Sequence, residues 1–207
     1  MHCRERMTAA EFYREVDGIY RLRVPFEGIY TSVFLVEHPS GTLLVDCATT
    51  DADVEQYILP ALQARGIAPT ALRGIVVTHA HGDHAGGLAR LLTAAPEIEV
   101  IREARPLFDG VCTYPMAGHT LDCIGLWDRR THTLIAGDGL QGAGVDKYPC
   151  YTKSREAYIQ TVERLQNDAH VENLLFSHAY EPWNCDRAIG RAEVLRCLRD
   201  CLAQLEK

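Results

Sequence analysis

A chain of 207 residues with a formal charge of -7 and 47% hydrophobic residues can bury a substantial core, which excludes a disordered or low-complexity protein. The charge comes without a basic cluster, so nucleic acid is excluded as a partner, and no apolar run is long enough to span a membrane. What remains is a single domain over 1–207 acting on a small-molecule substrate, its oligomeric state left open.

The opening "MHCRERMTAAEF" has charges but no apolar core or small-residue cleavage site, so no secretory signal is expected and Met7 could serve as the start. Then "GIYRLRV" and "YTSVFLVE" read as strands, the second turning through "HPSG" into "TLLVD". A helical pattern follows in "DADVEQYILPALQARG", closed by Gly66 and interrupted by Pro60. "LRGIVVT" is a strand of the buried type, and "GGLARLLTAAP" starts a helix soon after it. "DCIGLWD", the turn "RRTH" and "TLIAGD" form a second hairpin. "SREAYIQTVERLQN" is a helix capped by Ser154, "VENLLFSH" a strand, and "DRAIGRAEVLRCLRDCLAQLEK" an amphipathic helix closing the chain.

The eight cysteines are Cys3, Cys47, Cys112, Cys123, Cys150, Cys185, Cys197 and Cys201. With no C-x-x-C pair and no export signal they are expected to be reduced thiols of a cytoplasmic protein. Cys197 and Cys201, four apart, share one helix face and pack as small apolar groups.

One event recurs along the chain. Strands end on metal-ligand side chains at Asp46, His79, Asp138 and His178, where a rigid sheet can fix them. The second of these opens the turn "HAHGDHAGG", which crowds His79, His81, Asp83 and His84 into H-x-H-x-D-H. Histidines at i and i+2 of an extended segment point the same way, so one turn can serve two neighbouring ions.

This constellation resembles the metallo-β-lactamase fold superfamily of metallohydrolases. An acid after a strand matches Asp46 in "LLVDCATT", the histidine turn matches "HAHGDH", and a G-H-T histidine matches His119 in "AGHTLDCIG". A bridging acid matches Asp138 in "IAGDG" and a last histidine matches His178 in "LLFSHAY". The resemblance implies an α+β fold, a four-layer αβ/βα sandwich with a two-metal site at one edge. It implies that His79, His81 and His119 hold one ion, that Asp83, His84 and His178 hold the other, and that Asp138 bridges both. Asp83 and Asp138 would thus carry the chemistry, with Asp46 behind the ligands, orienting the histidine turn. Imidazole and carboxylate without thiolate suit two divalent ions, zinc first, with iron or manganese also compatible. Such a pair would share a water and present a bridging hydroxide to a polarised carbonyl.

The ligand set narrows the branch. Antibiotic-hydrolysing branches carry cysteine, or generally no bridging acid, where Asp138 stands, and the flavodiiron oxidoreductases replace the histidine at His81 by glutamate. Nuclease branches usually carry extra domains or long insertions. What remains is similar to the hydroxyacylglutathione hydrolases and lactonases, which implies hydrolysis of a small ester, thioester or lactone. The chain departs from those hydrolases in three ways: a short stretch after His178, about 35 residues from His84 to His119, and "GLQGAGVDKYPCYTK" after the bridging acid. Glutathione recognition is therefore not carried over. By family position the loop 139–153 lies beside the metals, where Lys147, Tyr148 and Tyr151 could hold an anionic substrate group, and Tyr180 could reach an oxyanion or line the rim. Asp122 and Cys123 sit beside the site, Cys123 as a packing residue, whereas His2, His38, His132 and His170 are expected in solvent. Two other readings stand beside the hydrolase: a mononuclear iron oxygenase similar to the persulfide dioxygenases, using only His79, His119 and Asp138, and a non-catalytic metal-binding protein on the same scaffold.

Overall fold

A computed structural model describes residues 10–140, 153–179 and 185–205. The first half of the chain builds a six-stranded sheet in sequence order: β1 (Tyr13–Val16), β2 (Ile19–Phe26), β3 (Ile29–His38), β4 (Gly41–Val45), β5 (Leu72–Val76) and β6 (Glu99–Ile101). The second half repeats the plan with β7 (Pro106–Phe108), β8 (Val111–Pro115), β9 (Ile124–Asp128), β10 (Thr133–Gly137), β11 (Asn173–Phe176) and β12 (Arg187–Ile189). Most neighbours are antiparallel hairpin partners, but β4–β5, β5–β6 and β10–β11 are parallel, and parallel pairs need crossovers, which here carry the helices.

Alternation along the strands sorts their side chains into three apolar layers. On β3, Val33 and Leu35 face one cluster with Val54, Ile58 and Leu62 of the helical run 51–64, while Phe34 and Val36 face another with Ile124, Leu126, Ile135 and Leu175 of the second sheet. On β10 and β11, Leu134, Leu174 and Phe176 face the third cluster, against Tyr158, Val162, Val194 and Leu198. A period of two with both faces apolar means a sheet covered on both sides. The result is the four-layer αβ/βα sandwich, with helices Arg155–Asn167 and Arg191–Gln204 forming one outer layer.

Local chemistry explains the helix boundaries. Ser154 accepts from the backbone N–H of Ala157 and so caps the helix Arg155–Asn167. Thr50 and Asp53 form a reciprocal capping box at the start of 51–64. Pro60 lacks an N–H and crowds the preceding turn, and just before it the helix widens into a π-helical turn at Val54–Ile58.

The segment expected as one closing helix is corrected at its start. Arg187–Ile189 is an edge strand, antiparallel to β11, and Gly190 at φ +88 turns the chain into the helix that begins at Arg191. The strands β6 and β7, of three residues each, show too little alternation to be read from sequence. No helix among the described residues is long and apolar enough to cross a membrane.

Candidate metal centre

The carboxyl ends of the parallel strands β4, β5, β10 and β11 converge on one edge of the sandwich. Asp46 follows β4, the turn His79–His84 follows β5, Asp138 follows β10, His178 comes two residues after β11, and His119 lies between β8 and β9. Each half of the chain therefore supplies part of the site. Two groups of ligand-type side chains result, His79 with His81 and His119, and Asp83 with His84, Asp138 and His178, and the ligand atoms within each lie within 4.8 Å of one another.

Asp138 stands between the groups. Its Oδ2 is 3.5 Å from His84 Nε2 and 3.7 Å from His119 Nε2, and its Oδ1 is 3.4 Å from His178 Nε2. Asp83 Oδ2 lies 3.1 Å from His178 Nε2 and 3.3 Å from His84 Nε2, and His81 Nδ1 faces His119 Nε2 at 3.0 Å.

Behind the ligands, hydrogen bonds set the tautomers. A carbonyl only accepts, so His178 must carry its proton on Nδ1, which donates to the Tyr30 carbonyl at 2.7 Å. His84 Nδ1 donates to Asp46 Oδ2 at 2.7 Å. Thr78 Oγ1 donates to the same Asp46 oxygen at 2.9 Å, and so is free to accept from His79 Nδ1 at 3.2 Å. In all three rings Nε2 is thereby the nitrogen turned toward the site. Asp46 also accepts from the Thr78 backbone N–H at 2.8 Å, and these bonds hold it at φ +65, a left-handed conformation that costs a non-glycine residue free energy. Sequence reading missed Thr78; its only signal was its place between a buried strand and His79.

The fit to a metal can be judged from His79. Its Nε2 is buried with no hydrogen-bond partner, and an orphaned buried acceptor costs about 1–3 kcal/mol. A cation beside His81 and His119 would satisfy it. The donor set, imidazole and carboxylate without thiolate, suits a divalent ion.

Without a cation, protons take its place unevenly. Burial, with His84 adjacent, pushes His79 down to about 2, and burial also lowers His119. Burial works against a charged His84, yet Asp138 and Asp46 lift it well above its ordinary value. Burial likewise opposes His178, but Asp138 and Asp83 raise it to about 9. Burial would raise both acids; His84 and His178 hold Asp138 well below the usual carboxylate range, and the same two histidines lower Asp83. His79 and His119 are thus neutral donors, and the other group is a charged lattice of two acids and two histidines.

The remaining sequence expectations fall outside these groups. Lys147, Tyr148, Tyr151 and Tyr180 lie outside the described residues. Asp122 is exposed; Cys123 is buried, 3.1 Å from Thr120 Oγ1, and burial raises its thiol to about 11, as befits a packing residue. His38 and His132 are half-buried rather than solvated, and His132 stacks on the exposed His170 with ring centroids 6.5 Å apart. Cys47, Cys112, Cys123 and Cys185 are free thiols.

This fold and donor set define a metallohydrolase of the metallo-β-lactamase type. Residues 27–108, the stretch holding Asp46 and the histidine turn, match the family pattern of the metallo-beta-lactamase superfamily. The chain is 29% identical to the hydroxyacylglutathione hydrolase of Vibrio cholerae, over 73% of this chain and 68% of that protein. It is also 29% identical to the hydroxyacylglutathione hydrolase of Ectopseudomonas mendocina, over 72% and 67%. Among solved structures, the mono-zinc form of the metallo-beta-lactamase FIM-1 from Pseudomonas aeruginosa superposes with a TM-score of 0.72, covering 96% of this chain and 97% of that one at 18% identity, a likeness of fold. The chain is a metal-dependent hydrolase that binds divalent metal.

Proposed function

We propose that this protein is a dinuclear hydrolase of a small ester, thioester or lactone, with His79, His81 and His119 holding one ion, Asp83, His84 and His178 the other, and Asp138 shared. The observation that carries this reading is the position of Asp138, whose Oδ2 approaches a histidine of each group, 3.5 Å from His84 and 3.7 Å from His119. When bound, a pair of divalent ions, zinc first, would polarise a substrate carbonyl and activate a water for attack on it. The chain's own residues do the rest. Asp46 and Thr78 hold the histidine turn in register, the Tyr30 carbonyl fixes the His178 tautomer, and Asp138 keeps a buried negative charge between the groups. The hydroxyacylglutathione hydrolases among the relatives support the thioester within this class. The charge of -7 supports a small molecule over nucleic acid as partner. Lys147 and Tyr148 are proposed to hold an anionic part of the substrate.

Elemental analysis and a screen of thioesters, esters and lactones test this together. About two transition-metal ions per chain are expected, and Asp138→Ala should lower metal content and turnover together while Asp122→Ala does less. A metal-replete, folded protein with one ion, or equal mild effects of the two substitutions, would reject the dinuclear assignment.

A further inference from the structure

Strand β3 touches the candidate metal centre through three consecutive residues, each by a different kind of contact. The Tyr30 carbonyl accepts from His178 Nδ1 at 2.7 Å. Thr31, fully buried, donates from Oγ1 to the Asp83 carbonyl at 3.1 Å. Ser32, also fully buried, donates from Oγ to the Ser177 carbonyl at 2.7 Å, one residue before His178. Asp83 and His178 sit on different sheets and belong to the same ligand group, so this short stretch ties together the two ends of that group.

The stretch is itself locked. Arg21 on β2 is wholly buried, donating from Nη1 to Ser32 Oγ at 2.8 Å and to the Phe176 carbonyl at 2.7 Å, and from Nη2 to the Asp186 carbonyl at 2.9 Å. Its Nε donates to the buried Glu15 carboxylate at 2.5 Å. A planar guanidinium bonded on every side cannot shift without breaking several bonds at once. The Tyr30 hydroxyl donates to Asp186 Oδ2 at 2.8 Å, next to Arg23, fixing the other end of the stretch.

We propose that Tyr30, Thr31 and Ser32, locked by Arg21, are positioning residues for one metal only, the ion held by Asp83, His84, Asp138 and His178. They set the spacing between Asp83 and His178, which lie 3.1 Å apart at their facing atoms, and so tune the affinity of that group. His79, in the other group, is oriented by Thr78 Oγ1 and not by a bond to β3. The inference rests on the two-ion reading.

The test is stepwise zinc affinity by chelator competition in Thr31→Val and Ser32→Ala, with Asp83→Asn marking which step belongs to this group. Loss of such a supporting bond weakens metal affinity by about tenfold or more, so the step marked by Asp83→Asn should weaken by that factor and the other should keep its wild-type value. A general loss of stability would weaken both steps alike. Equal weakening of both steps, or no change in either, overturns the proposal while leaving two ions in the wild type. A single step in the wild type overturns the two-ion reading and this proposal with it. Thr31→Val, which preserves side-chain shape, keeps the test open should Ser32→Ala fail to fold.

Discussion

Gly86 has no room for a side chain. A Cβ there would lie 1.9 Å from the Thr49 carbonyl oxygen and 2.5 Å from the Gly82 carbonyl oxygen, because the end of the histidine turn packs directly on the loop that follows β4. Both contacts are backbone and cannot swing away, so Gly86→Ala should destabilise the protein by at least about 1–3 kcal/mol and reduce metal uptake with it, measurable by thermal unfolding and elemental analysis. Unchanged stability would mean that this loop yields freely. Arg21 is the opposite case, a large charge in the seam between the sheets, with its guanidinium 4.7 Å from the Phe34 ring centroid. Breaking a buried ion pair by removing one partner costs about 3–5 kcal/mol, so Arg21→Leu, which leaves Glu15 with Arg187 alone and strands two carbonyls, should fall in that range by urea unfolding. A loss under about 1 kcal/mol would place Arg21 among the weak surface-type pairs instead.

At the level of elements, the site is a set of strand ends. The charged group holds its protons on His84 and His178, and a cation must displace them. Metal binding near neutral pH should therefore release protons, and affinity should climb with pH until His178 is neutral, at about 9. Calorimetry in buffers of different ionisation enthalpy checks this; an absence of proton release would contradict the arrangement. The same shift bears on stability. His178 titrates at about 9 folded against 6.5 unfolded, so its protonated form adds stability to the metal-free protein that is complete below 6.5 and lost as pH rises through 9. The melting temperature of metal-free protein should fall across that window, and that of metal-loaded protein should not follow it.

Across the whole molecule, the ligands come from both sheets, so a cation bound between them favours the closed sandwich over any state in which the halves part. At a free metal concentration of 100 times the dissociation constant, this linkage contributes about 2.7 kcal/mol. For a chain of this size that raises the melting temperature by about 5–10 °C. Differential scanning calorimetry with and without a chelator reads it, and coincident melting curves would show that the ligands bind metal without coupling it to the fold.

The strands β2 to β5 and β9 to β11 and most helices were legible in local sequence because burial on one or both faces writes a period of two or of 3.6 into the chain, and because Ser154, Gly66 and the histidine turn mark boundaries with their own chemistry. The strands β1, β6, β7, β8 and β12 and the strand–helix break at Gly190 were not, since three to five residues carry little period. The ligand types at Asp46, the histidine turn, His119, Asp138 and His178 could be read from the linear chain, each standing at or near a strand end. What only the tertiary structure decided is how they stand to one another. The two ligand groups, and the place of Asp138 between them, exist because two sheets built from separate halves of the chain meet at one edge. Arg21 shows the same limit in reverse. A charged residue in the strand "IYRLRV" reads as solvent-facing, and its burial follows from acceptors on Ser32, Phe176 and Asp186, the last two more than 150 residues away along the chain and brought within reach only by packing one sheet against the other.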